Sequence, residues 1–222
     1  MRHPLAISAI LLALSGVCPA TASVIYESAT LQNYGLAIVT EFSGQQFLGA
    51  RFHVAGAVHV TAIGGVMYGG GNTFFGAIVP LSGPTALPSG SPFSAPVTAS
   101  TTFDPGNPVV DFLTPLSVDL NAGWYGLIFG AGHFGSPSDA GGGMLLNNHD
   151  VPDASYFNWS GTLNNGQWGD GGFSGARFVV EGVSRSIEGD PAGVRAPEPS
   201  TFLMLGGGLL GLVFLHRQCA RG

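Results

Sequence analysis

The chain is expected to fold as an all-β domain, a two-sheet antiparallel sandwich of jelly-roll type, between an N-terminal signal peptide and a C-terminal transmembrane segment. Three observations lead there. Short runs rich in β-branched and aromatic residues alternate with period two, as in Phe52-His53-Val54, Val58-His59-Val60-Thr61-Ala62 and Leu116-Ser117-Val118-Asp119-Leu120. Clusters of Gly, Pro, Asn and Ser separate these runs, and no stretch between the ends keeps a helical apolar period through three turns. Long apolar runs occur only at the two ends, Leu5 to Val17 and Phe202 to Leu215.

The first 22 residues read as a signal peptide. Met1-Arg2-His3 supplies the positive start, and Ala20-Thr21-Ala22 the Ala-x-Ala site for signal peptidase before Ser23. Cys18 after the apolar run raises a lipoprotein alternative, but Ser15-Gly16-Val17 lacks the leucine and small residue that lipidation needs. Cys18 and Cys219 are the only cysteines in the chain, so residues 23–196 have no disulfide to hold them.

Residues 23–183 are assigned to the β-domain, which is long enough to bury a real core. Beyond the alternating runs, strand candidates are Leu36 to Thr40, Phe74 to Val79, Val109 to Leu113, Trp124 to Phe129, Ser155 to Trp159 and Arg177 to Val183. Eight or nine strands of this length suit a sandwich, with the last returning near the first. Glycine (36) and proline (15) are abundant, yet a 45% hydrophobic composition is too apolar for a disordered chain. Residues 184–196 are read as a spacer.

Charge narrows the partners. Residues 23–196 carry four arginines and no lysine against twelve carboxylates, a net of minus eight. That argues against nucleic acid or anionic lipid and leaves neutral polymers or divalent cations.

The tail, residues 197–222, has three parts. Pro197 and Pro199 hold the box Pro197-Glu198-Pro199-Ser200-Thr201 extended, because proline fixes its own φ and moves the preceding residue out of the helical region. The fourteen residues from Phe202 to Leu215 rise about 21 Å as a helix, a marginal span. Arg217 and Arg221 then favour a cytoplasmic C-terminus. This order of parts resembles the PEP-CTERM sorting signal of Gram-negative bacteria. The resemblance implies cleavage by an exosortase near the box, after transient anchoring in the inner membrane, and release to the cell surface or extracellular matrix. An association with exopolysaccharide and biofilm is part of the same implication. An ordinary C-terminal membrane anchor is the alternative. The runs Thr61 to Gly65, Phe74 to Val79 and Leu120 to Gly130 are likewise similar to the β-sandwich that often precedes this signal.

Catalytic motifs fail on context, so the chain is read as a non-enzyme with no catalytic residues. Gly130-Ala131-Gly132-His133-Phe134-Gly135 fits G-x-G-x-x-G, but Ser136 to Gly143 cannot supply the helix a dinucleotide needs. No G-x-S-x-G elbow, H-E-x-x-H or C-x-x-C occurs. His53 and His59 fall at the polar phase of their alternations, which makes them solvent-facing rather than a metal pair.

The candidate binding stretch runs from Asn147 to Asp170. Tyr156, Trp159 and Trp168 offer flat faces for sugar rings, while Asn147, Asn148, Asn164 and Asn165 can bond hydroxyls. Asp150, Asp153 and Asp170 are weak Ca²⁺ candidates, the one cofactor considered. The competing reading makes the Asn and Asp residues turn formers and sets Tyr156 and Trp159 in the core. Two further functions stay open: a stand-alone carbohydrate-binding module, with or without calcium, and a secreted hydrolase with an unrecognised site.

Overall fold

The computed structural model describes residues 21–31, 38–90, 96–148, 150–162, 165–171 and 173–185, and every regular element in them is a β-strand. In chain order these are β1 (Ser23–Glu27), β2 (Ile38–Ser43), β3 (Gln46–Val54), β4 (Val58–Tyr68), β5 (Phe74–Leu81) and β6 (Ala99–Phe103). They continue as β7 (Val110–Leu120), β8 (Gly123–Gly130), β9 (Gly141–Leu145), β10 (Ser155–Ser160), β11 (Gln167–Asp170) and β12 (Phe178–Ser184). All pairings are antiparallel, and hydrogen bonds run through one sheet in the order β1-β12-β4-β9-β2-β3-β8-β5-β6. Strand β7 joins β4, β10 joins β3, and β11 joins β10. The last strand lies between the first and β4, as expected.

Twelve strands replace the expected eight or nine because four carry too little pattern to announce themselves. β1 and β11 are short, β6 reads Ala-Ser-Thr-Thr-Phe, and β9 opens with three glycines. The candidates Val109 to Leu113 and Leu116 to Leu120 merge into the single strand β7. Its register against β4 slips between Val60 and Ala62, where β7 carries one extra residue. Pro115 sits beside that bulge on a strand whose only partner is β4, so its missing N–H breaks no ladder on the open side.

The central strands β5, β8 and β3 are buried on both faces. On the inner face Leu48, Ala50, Phe52 and Val54 of β3 and Leu127 and Phe129 of β8 meet Val60 and Ile63 of β4 and Phe178 and Val180 of β12. Phe129 stacks on Phe178 at 5.3 Å between ring centres, a contact between strands that share no hydrogen bonds. The outer face holds Phe47, Phe75, Ala77, Val79, Ile128, Phe157 and Trp159, covered by Leu81, Leu87, Val97 and Trp168.

Glycine makes that outer face possible. Gly49 and Gly126 lie under the Phe157 ring, where a Cβ on Gly126 would come within 2.8 Å of it and one on Gly49 closer still. The ring therefore packs directly on bare backbone, where no Cβ intervenes.

The unit that ends at Arg185 is the folded domain, and residues 186–222 form a separate unit outside the described residues. Strand β12 runs to Ser184, and the Arg185 amide still donates to the Ala57 carbonyl at 2.9 Å. Among the described residues no helix is long and apolar enough to cross a membrane.

Candidate functional site

The outer face builds a depression from two walls. One wall is the hairpin of β10 and β11, in which Trp159 lies opposite Trp168 and Phe157 opposite Asp170. Its turn closes with Asn165 at φ 50° and Gly166 at φ 73°, and the Gly166 amide donates to the Ser160 carbonyl at 3.1 Å. The other wall is the loop after β5, closed by a turn in which the Ala86 amide donates to the Gly83 carbonyl at 3.2 Å.

Arg51 ties the walls together from below. Its side chain is 2% exposed. Nε donates to the Ala86 carbonyl at 2.8 Å, one terminal nitrogen to Ser155 Oγ at 2.8 Å and the Tyr156 carbonyl at 3.2 Å, and the other to Asp170 Oδ1 at 2.6 Å. The guanidinium lies 5.2 Å from the centre of the Phe157 ring. A buried cation needs such partners on every side. A third tie runs from Trp168 Nε1 to the Gly90 carbonyl at 3.0 Å. Between the walls opens a depression of about 650 Å³, lined by Leu87, Pro88 and Gly90 on one side and by Asn165, Gly166, Gln167 and Trp168 on the other. Among the described residues no charged side chain lines it.

The three candidate aromatics do not form one platform. Tyr156 faces the inner core at 8% exposure, its hydroxyl donating to the carbonyls of Ser28 at 2.9 Å and Ala176 at 3.1 Å, and burial pushes its phenol above the usual range. Trp159 is on the outer face but only 7% exposed, stacked on Phe47 at 4.9 Å. Both rings are spent on packing, which corrects their assignment as sugar platforms. Trp168 also packs on the outer face, edge-on to Phe157 at 5.6 Å, but it is half-buried and borders the depression.

The aspartates are likewise occupied separately. Asp150 accepts from Thr30 Oγ1 at 2.7 and 2.6 Å, and that hydrogen bond holds its carboxyl below the usual value. Asp170 serves Arg51, and Asp153 is exposed at φ 59° in a turn. Among the described residues no three histidine, cysteine or acidic groups gather as a metal site, so Asp150, Asp153 and Asp170 do not form one ligand set. Asn147 is buried, Asn148 Nδ2 donates to Thr30 Oγ1 at 3.3 Å, and Asn164 lies outside the described residues.

The histidines part company. His53 is exposed and packs on Trp124 at 4.9 Å. His59 is only half-buried, with Nδ1 2.6 Å from Asp119 Oδ1 and Nε2 3.4 Å from Ser117 Oγ. Arg185 pairs with the second oxygen of Asp119 at 2.8 Å. The His59 hydrogen bond, followed by the Arg185 charge, lowers the Asp119 carboxyl. The alternation of β4 and β7 placed these side chains on one face, but only the register, His59 opposite Asp119, brings them together. The Asp119 side chain is 57% exposed and shared with a guanidinium, so this cluster ties the last described residue to β7 in open solvent.

The signal-peptide residues through Ala20, the box Pro197 to Thr201 and the tail residues Arg217 and Arg221 lie outside the described residues; Ala22 lies just before β1. The described residues form an all-β domain that ends at Arg185, ahead of the residues in which the sequence places a sorting signal. Comparison with protein families matches residues 195–218 to the PEP-CTERM protein-sorting motif. The chain is therefore a PEP-CTERM protein, an exosortase substrate exported by membrane-anchored sorting to the cell surface. The match takes in Pro197 to Thr201 and Arg217 but ends before Arg221. Comparison with curated proteins found no match.

Proposed function

We propose that this chain is a non-catalytic protein of the cell surface or extracellular matrix, processed at both ends, whose sandwich-like β-domain joins the exopolysaccharide layer of a biofilm. The sorting motif at residues 195–218 carries the reading. Two features of the domain support it. β1 pairs with β12 from Ser23 onward, so signal peptidase cleavage after Ala22 leaves the edge strand whole. Net negative charge and an uncharged depression suit a neutral polymer better than an anionic one. Intact mass and C-terminal peptide mapping of the protein from the outer fraction of its producing cells test the proposal. A chain that starts at Ser23 and ends near Pro197 to Ser200 is expected; retention of Phe202 to Leu215 would make the tail a permanent anchor and remove the proposal.

The second reading, a stand-alone carbohydrate-binding module, is favoured by the depression beside Trp168. Its polar contacts come from Asn165 and Gln167, since Asp150 and Asp170 are engaged with Thr30 and Arg51.

A further inference from the structure

We infer that the depression between the loop after β5 and the turn of β10 and β11 is a preorganised subsite for a neutral polysaccharide, with Trp168 as the stacking residue and Arg51 as a positioning residue. The inference rests on the matrix reading above and deepens it by naming the contact.

The lining chemistry selects the ligand class. Pyranose rings present apolar C–H faces and a rim of hydroxyls. An indole packs against the first, and the amides of Gln167 and Asn165, both exposed, both donate to and accept from the second. Leu87 and Pro88 extend the apolar floor on the opposite wall. Among the described residues no side chain there offers a cation to a carboxylate or sulfate, and residues 23–196 carry a net minus eight that repels both. An anionic polymer is thus disfavoured twice.

Preorganisation separates this depression from a dent between loops. Trp168 is held by its bond to Gly90, and Arg51 bonds Ala86 on one wall and Asp170 on the other. Side chains held before the ligand arrives lose less freedom on binding. Arg51 itself is buried and touches no ligand, so its effect on affinity acts through the position of the walls.

Affinity electrophoresis of the processed protein through native gels tests this, with galactomannan and hydroxyethylcellulose as neutral probes and alginate as the anionic one. A neutral probe is expected to retard the wild type and alginate to leave it unmoved. Trp168→Ala should weaken retardation about tenfold. Gln167→Ala, at an exposed position with no packing role, should weaken it several-fold at unchanged Tm, and it decides the matter if Trp168→Ala does not fold. Arg51→Met should weaken binding about fivefold, while Arg177→Met, destabilised comparably but distant in the fold, binds as wild type. The inference is overturned if neither neutral probe retards the wild type, if only alginate does, or if the folded Trp168→Ala or Gln167→Ala variants run as wild type. A correctly processed surface protein that ignores both neutral probes defeats this inference alone; an uncleaved tail defeats the matrix reading.

Discussion

The two faces of the β5, β8 and β3 strands are both buried, but by different means. The inner face is closed by other strands, β4, β7 and β12, whose Val, Ile, Leu and Phe side chains interlock with it. The outer face is closed by a loop and a short hairpin laid over flat aromatic rings, with glycines cleared beneath them. Each also has its own buried arginine. Arg51 ties the outer cover down, whereas Arg177 joins the start of β12 to Glu27 of β1, at 3.2 Å, and to Asp111 of β7. An interface of strand on strand stabilises the fold and leaves no opening, while a cover of loop and turn leaves a depression at its seam.

The largest effect should come from filling the outer trough. Gly49→Val would drive a branched side chain into the buried Phe157 ring, whose atoms a Cβ there already overlaps, and should cost about 3 kcal/mol in denaturant melts. If Gly49→Val melts like wild type, the close stacking on the outer face is wrong.

That glycine also explains why part of the fold could be read from the sequence and part could not. β7 alternates visibly, with Leu116 and Leu120 inward and Asp111, Leu113, Ser117 and Asp119 outward, so its pieces were legible. β3 is different: Phe47-Leu48-Gly49-Ala50-Arg51-Phe52 is buried throughout, and burial on both faces erases the alternation that marks a strand. Only its last three residues, ending at Val54, betrayed it. The hairpin wall was half legible, since Asn165-Gly166 is a turn signal and Trp168 a plausible sugar contact. Arg51 gave no signal at all. Its partners lie 35 to 119 residues away in sequence, so only the folded register assembles them.

The arginines give the next test. Arg51→Met and Arg177→Met should each cost about 2 kcal/mol, because each strands carbonyl or carboxylate partners that the cation had satisfied. Thermal melts are expected to rank them together, and polysaccharide retardation to separate them. Equal loss of binding in both would make the two faces energetically one unit.

The smallest effect concerns pH. His133 sits edge-on to Phe47 at 5.4 Å and Phe75 at 6.0 Å, and burial holds its imidazole below the ordinary 6.5. The unfolded chain therefore takes up this proton first as pH falls. The stability that depends on neutral His133 is complete above 6.5 and declines as pH drops below it. His133→Phe should flatten the slope of Tm between about pH 7 and pH 5. An unchanged slope would show that the half-buried ring titrates as freely as in the unfolded chain.

The outer face is held here to be the working face, and its three-tryptophan inventory makes that directly observable. Trp124, Trp159 and Trp168 are the only tryptophans in the chain, so ¹⁹F NMR of the 5-fluorotryptophan protein shows one signal for each. On titration with a soluble neutral polysaccharide, the Trp168 signal is expected to move while those of Trp124 and the buried Trp159 stay put. A shift at Trp124 instead, or no shift at any of the three, would contradict the assignment of function to this face.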